Sequence, residues 1–261
     1  MSARMLWHVP ILMYHRVTPA NGSANARYAI PLGRFEWQIS WLKEHGYQTV
    51  SLTEVADWTE GRGGHLPARP IAITFDDGFL DTYQVAIPIL DRHQFTATIF
   101  LTLDYVGGCS EWDAGTREPV APLMSWEQAE ELALSGFAIG AHTRRHVDLT
   151  LMDLANVREE LAYSRRLLRS RIPRSDPLLA YPFNRTNGKV MAAAAAAGFV
   201  AACAGGFLGY SRYCLDRSDP THAEGLLWLL QVSGWMYAAG TFPPLRLLRY
   251  IRRKARNQIG K

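Results

Sequence analysis

The sequence is poor in cysteine: Cys109, Cys203 and Cys214 are the three in 261 residues. They are odd in number and form no C-x-x-C pair, which excludes a disulfide framework and a thiolate zinc site and fits a reducing compartment. No G-x-G-x-x-G or G-x-x-x-x-G-K-[ST] follows any apolar run, so the usual nucleotide-binding signatures are missing. No window repeats at a solenoid period, and the low-complexity stretch at Ala192–Ala197 reads as helix. The N-terminal "MSARMLWHVPILMYH" has one arginine and an apolar run too short for a signal-peptide core. The expectation is a cytoplasmic protein.

Acidic charge is absent from one end of the chain. The net charge is +4, but residues 245–261 hold seven Lys/Arg and no acid, leaving 21 basic against 24 acidic residues elsewhere. The body is slightly acidic and the tail strongly basic.

What is present is alternation. Strand-length apolar runs occur at 9–15, 71–75, 97–101, 137–141, 178–181 and 199–203. Helical patterns lie between them. Phe35, Ile39 and Leu42 recur at helix spacing, "SWEQAEELALSG" opens with Ser125 as a cap and closes at Gly136, and 150–171 is long and charge-rich. The pattern predicts parallel strands with crossover helices, and without nucleotide motifs a barrel is a better reading than an open sheet. In a barrel the chemistry collects where strands end. The residues there are His15, Asp76 with Asp77, His142 with His146, and the "YPFN" of 181–184.

"GAHTRRH" places His142 and His146 four residues apart at a strand exit, so one helical turn would aim both imidazoles the same way. With one carboxylate from another strand end they make a two-His, one-Asp metal site with positions left open, as catalytic divalent sites require. "ITFDDGFLDTY" supplies that carboxylate from Asp76 or Asp77. If one binds the cation, the other can stay ionised beside it and accept a proton. Taken singly, Asp-Asp-Gly reads as a cap and turn, H-x-x-x-H as a solvated face and His15 as a core histidine. Their joint occurrence at strand ends carries the metal-hydrolase reading.

"TFDDGFLDTY", "SWEQAEELALSGFAIGAHTRRHVDL" and "LLAYPFN" together resemble the polysaccharide deacetylases with NodB homology, carbohydrate esterase family 4, over roughly residues 9–205. "VPILMYHRV" further resembles the branch acting on poly-N-acetylglucosamine and related exopolysaccharides. The resemblance implies a distorted (β/α)7 barrel that removes acetyl groups from N-acetylated sugars. It also implies a divalent cation, zinc first, with cobalt, nickel or iron as alternatives. On it, Asp76 falls on the catalytic base, Asp77, His142 and His146 on the metal ligands, and His15 on the general acid. Thr143 falls where a hydroxyl holds the histidine loop, and the Phe183 backbone N–H falls on the oxyanion donor, since Pro182 has none.

The chain departs from the family where Ala180 stands in place of the arginine that orients the base. Nearby Arg185 is the candidate substitute. The "LDR" at 215–217 puts Arg217 at the rim of the site, where surface salt-bridging is its expected role. His222 is the late alternative to His15 as acid, but no apolar run precedes it. Of the aromatic residues near strand ends, Tyr181 and Trp126 are the expected sugar contacts.

The barrel is expected to occupy residues 1–222 and an extension 223–261. Residues 225–245 carry no charge, and "RLLRYIRRKARNQ" follows with Leu248, Ile251, Ala255 and Ile259 on one helical face. Two readings stand side by side, a basic amphipathic helix lying on a membrane and a barrel helix followed by a solvated tail. Glycines, Gln231, Ser233 and Pro243-Pro244 make the stretch a poor transmembrane span. Nothing in it supports nucleic-acid binding. The first reading of function is metal-dependent de-N-acetylation of a polysaccharide or lipid-linked saccharide; two others stand beside it, a related hydrolase of small amides and, suggested by the missing arginine at Ala180, a catalytically silent carbohydrate- or membrane-binding module.

Overall fold

The computed structural model describes residues 8–19, 27–205 and 210–233. Seven parallel strands form the wall of a nearly closed barrel: β1 Ile11–Tyr14, β2 Pro70–Phe75, β3 Thr98–Leu101, β4 Ala138–Ala141, β5 Leu178–Ala180, β6 Ala201–Gly205 and β7 Leu215–Arg217. Neighbours in this order pair in parallel. The ring closes between last and first strands, where Met13 N–H donates to Ser218 C=O at 2.8 Å and Ser218 N–H to Ile11 C=O at 2.9 Å. This is the expected distorted (β/α)7 barrel.

Helices cover the outside: α1 Leu32–Glu44, α2 Leu52–Thr59, α3 Ile87–Arg92, α4 Trp126–Leu134, α5 Leu154–Arg171, α6 Gly188–Ala196 and α7 Gly225–Val232. Their ends follow local chemistry. Ser51 with Glu54 and Ser125 with Gln128 form capping boxes that satisfy the first amides of α2 and α4. In α1 the periodic Phe35, Ile39 and Leu42 are fully buried. In α5 Val157, Leu161 and Leu168 face inward from a helix otherwise rich in charge.

Strand parity divides the core in two. Ile11, Ala72, Phe100, Leu178, Ala180, Cys203 and Leu215 meet inside the barrel. Leu12, Ile73, Ile99, Ile139, Leu179 and Ala202, each one position along, pack outward against the helices. Because successive side chains alternate faces, residues in the inner register continue inward past the strand ends. That register runs 11, 13, 15 in β1, 72, 74, 76 in β2, 138, 140, 142 in β4 and 215, 217 in β7. His15, Asp76, His142 and Arg217 are therefore directed to one place.

α7 packs on the barrel with Trp228 and Val232 buried in the outer core, and the Gln231 amide donates to Asp219 C=O at 2.9 Å. The first part of the expected extension is thus joined to the barrel. The basic segment 245–261, with its expected amphipathic face, lies outside the described residues. Among the described residues no helix is long and apolar enough to cross a membrane. Cys109, Cys203 and Cys214 are all free thiols.

Candidate active site

The strand ends open into a cleft of 1390 Å³ lined by His15, Asp76, Asp77, His142, His146 and Arg217 among others. Asp76 sits at its floor, 2% exposed. Arg217 grips it through two parallel bonds, Nη1 to Oδ1 at 2.6 Å and Nη2 to Oδ2 at 2.8 Å. The same guanidinium donates to Thr74 Oγ1 at 3.2 Å and Asn184 Oδ1 at 3.0 Å, and lies over the Phe100 ring. Burial by itself would raise the Asp76 pKa, but the Arg217 charge and bonds, with His142 behind them, hold this carboxyl well below the usual range. It is an ionised carboxylate fixed in orientation.

Asp77 has the opposite surroundings. Parity would turn it outward, but its φ of 74° swings the side chain back toward the histidines. Its Oδ1 lies 3.5 Å from His142 Nε2 and 3.4 Å from His146 Nε2, yet this buried oxygen accepts no hydrogen bond. His142 Nδ1 lies 2.9 Å from Ala180 C=O, an acceptor, so that nitrogen carries the proton and Nε2 presents its lone pair. Burial lowers His142 to about 4 and, with His142 adding to the effect, His146 to about 2, so both rings are neutral near pH 7. Burial and the Asp76 charge push Asp77 upward. Three acceptor groups whose ligating atoms lie within 4.8 Å of one another can hold a metal ion. A cation would supply the positive charge that Asp77 lacks, so the donor set fits one.

Backbone strain marks the same loops. Six described residues other than glycine have positive φ, and five of them, Asp77, Thr143, His146, Phe183 and Asn184, belong to the loops that build the site. His15 enters from β1 with its ring 4.6 Å from Tyr28 and its carbonyl accepting the Thr82 hydroxyl at 3.0 Å. Burial lowers its pKa, while the Asp76 and Asp219 charges oppose that. Trp112 stacks on His146 at 4.9 Å, and Phe183, 56% exposed, meets the same ring edge-on at 4.8 Å.

Several expectations need correction. Arg217 is no surface rim residue; it is 3% exposed and is the arginine that orients Asp76. It leaves the last strand, β7, level with Gly205 of β6, so the guanidinium reaches Asp76 from a different strand than the one that carries Ala180. Arg185 does not substitute, because it pairs with Asp148 at 2.7 Å. Tyr181 is not a sugar contact: it follows Ala180 in outward register, is fully buried and donates to Tyr213 C=O at 3.1 Å. Trp126 begins α4, packs on the outer core under Arg171 and does not line the cleft. The Thr143 hydroxyl is buried without a hydrogen bond; its carbonyl accepts the Leu103 amide at 3.2 Å. His222 is exposed and outside the cleft lining. Asn184 has no role assigned from the sequence; Trp112, like Phe183, is one of the aromatic residues near strand ends, and the cleft takes these two rather than Tyr181 and Trp126.

Comparison with known proteins gives a consistent picture. The polysaccharide deacetylase family profile matches residues 63–202. A Staphylococcus epidermidis poly-β-1,6-N-acetyl-D-glucosamine N-deacetylase is 27% identical over 199 residues, covering 67% of this chain and 65% of that protein. The chain spans less than two thirds of the length of such curated relatives, 62% to 65%. Among solved structures, Streptococcus pyogenes deacetylase PplD in complex with acetate superposes with TM-score 0.70 at 26% identity, covering 86% of this chain and 97% of that one. IcaB from Ammonifex degensii superposes with TM-score 0.69 at 25% identity, covering 88% and 97%.

Proposed function

The chain belongs to the polysaccharide deacetylase family, and on that premise we propose that it hydrolyses N-acetyl groups from an amino-sugar polymer or its lipid-linked precursor. The observation that carries this reading is the unequal pair of aspartates: one carboxylate locked by Arg217, its neighbour aimed at two neutral imidazoles. Asp77, His142 and His146 would hold the divalent cation, zinc before cobalt, nickel or iron. When bound, such an ion polarises the acetyl carbonyl and lowers the pKa of a water toward ~7.

The chain's own groups then divide the proton work. Asp76, ionised and fixed, accepts the proton of the attacking water. The Phe183 N–H donates to the oxygen that gains charge; the amides of Asn184 and Arg185 are spent on the Tyr181 and Pro182 carbonyls. His15 faces the cleft from the first strand and delivers a proton to the departing amine. Trp112 and Phe183 offer apolar faces beside His146 for the substrate. The relatives named for poly-β-1,6-N-acetyl-D-glucosamine make that polymer the first substrate to try.

Ala180 was the ground for a silent module, and Arg217 supplies the missing guanidinium. The test is acetate release from β-1,6-linked N-acetylglucosamine oligomers by metal-replete, chelator-stripped and zinc-restored protein. Release that vanishes on stripping and returns with zinc is expected. Metal-replete protein that leaves every acetylated sugar intact, yet opens a small cyclic amide, would overturn the sugar assignment.

A further inference from the structure

α5 carries two adjacent glutamates, and the structure treats them differently. Glu159 is exposed, whereas Glu160 is 3% exposed on the face that meets the histidine loop. Burying a carboxylate is costly unless hydrogen bonds replace its water. Here Oε1 accepts the backbone N–H of Arg144 at 2.9 Å and of Arg145 at 3.2 Å, and Oε2 lies 3.5 Å from Arg145 Nη2. Two successive amides converging on one oxygen form an anion-binding concavity. They belong to the two residues between Thr143 and His146, which both stand at positive φ, 62° and 56°.

The two histidines are held by different means. His142 continues β4, its amide bonded to Leu101 C=O at 2.7 Å and its ring to Ala180 C=O. His146 has no such anchor: its Nδ1 is buried without a hydrogen bond, the rings of Trp112, His142 and Phe183 flank it, and Asp77 Oδ1 lies 3.4 Å from its Nε2. A β-branched threonine in the left-handed region is strained, and a turn of that kind persists only where its surroundings impose it. Asp104 adds one further tie through its amide to Arg144 C=O at 2.9 Å and its carboxylate to Arg144 Nε at 2.5 Å, but both act on Arg144. Glu160 is the group that ties Arg145, the residue next to His146.

We infer that Glu160 is a positioning residue for the metal site: by capturing the Arg144 and Arg145 amides it imposes the turn that brings His146 Nε2 to Asp77. This rests on the proposed metal site and says which residue outside it sets its geometry. The role depends on reach to two amides and less on charge. Gln keeps an acceptor oxygen at that reach, and Asp keeps the charge one methylene too short.

The experiment is Zn²⁺ affinity by competition with a chromophoric chelator, read together with the thermal melting of the metal-free protein. Wild type, Glu160→Ala, Glu160→Asp, Glu160→Gln and, as a control on the exposed neighbour, Glu159→Ala are compared. Glu160→Ala and Glu160→Asp are expected to weaken zinc binding by about 10- to 100-fold, Glu160→Gln to restore most of it, and Glu159→Ala to match wild type. If Glu160→Ala fails to fold, the contrast between Asp and Gln decides alone. Folded Glu160→Asp that binds zinc like wild type overturns the inference, as does Glu160→Gln that is weaker than Glu160→Asp. Wild-type protein that binds no zinc defeats the metal site itself, a different result.

Discussion

Asp76 and Asp77 are adjacent in sequence and both buried, yet one ends in saturated surroundings and the other in unsatisfied ones. Asp76 keeps the strand register, so it points into the barrel and meets Arg217 from the opposite side of the ring closure. Asp77 leaves that register through a left-handed backbone and meets two imidazoles that have no positive charge to offer. The lesson is that two like charges can be neighbours when the fold sends them to different partners. A dipeptide alone shows a repulsion; the barrel gives each carboxylate its own surroundings, and on the proposed function these become a division of labour between proton acceptor and ligand.

The comparison can be broken most directly at the ligands. His142→Ala should lose both bound metal, by elemental analysis, and acetate release, because it removes a donor atom and the ring's bond to Ala180. Asp76→Asn should keep metal near the wild-type level while turnover falls by about 10²- to 10⁴-fold. Turnover near wild type in that variant would end the assignment of Asp76 as base. Arg217→Lys sharpens the same half of the site. Its single ammonium cannot reproduce the two-pronged grip, and losing charged hydrogen bonds worth ~1.5–3 kcal/mol should slow turnover by about tenfold or more with metal content unchanged. Arg217→Ala would strand a buried carboxylate at a cost of ~3–5 kcal/mol and is the poorer probe.

Smaller effects are expected one step away. A Cβ on Gly205 would stand 2.7 Å from Asn184 Cγ, so Gly205→Ala must displace the side chain that receives the outer nitrogen of Arg217. Overpacking of this kind costs ~1–3 kcal/mol; a lowered melting temperature with a turnover loss smaller than that of Arg217→Lys is the expected pattern. Tyr181→Phe should be smallest. It removes one hydrogen bond, worth about 1 kcal/mol, and leaves the KM for the sugar oligomer unchanged. A raised KM would return Tyr181 to the substrate surface.

Much of the fold and the site was legible in the residues. The apolar runs, Ser125 and the helix spacing of Phe35, Ile39 and Leu42 announced alternating elements, and the strand-end positions of His15, Asp76, Asp77, His142 and His146 announced where chemistry would gather. Arg217 was misread because a lone arginine closing a three-residue run has the same local appearance on a surface as in a core; its burial is set by Phe100, Asn184 and Asp76, all distant in sequence. Tyr181 was misread because nearness to a strand end was weighed without parity, and parity sends 181 out where it sends 180 in. Glu160 meets the histidine loop from a helix whose approach to it has no local signature.

By itself, then, the sequence determined the register of each strand, since alternation of side chains is a local property of extended chain, and with it which polar residues leave the barrel wall facing inward. Only the tertiary structure decided who meets whom: that β7 brings a guanidinium to Asp76, and that α5 brings a carboxylate under the histidine turn. Those encounters depend on ring closure and helix packing over long stretches of chain, where no local pattern fixes the distance between two side chains.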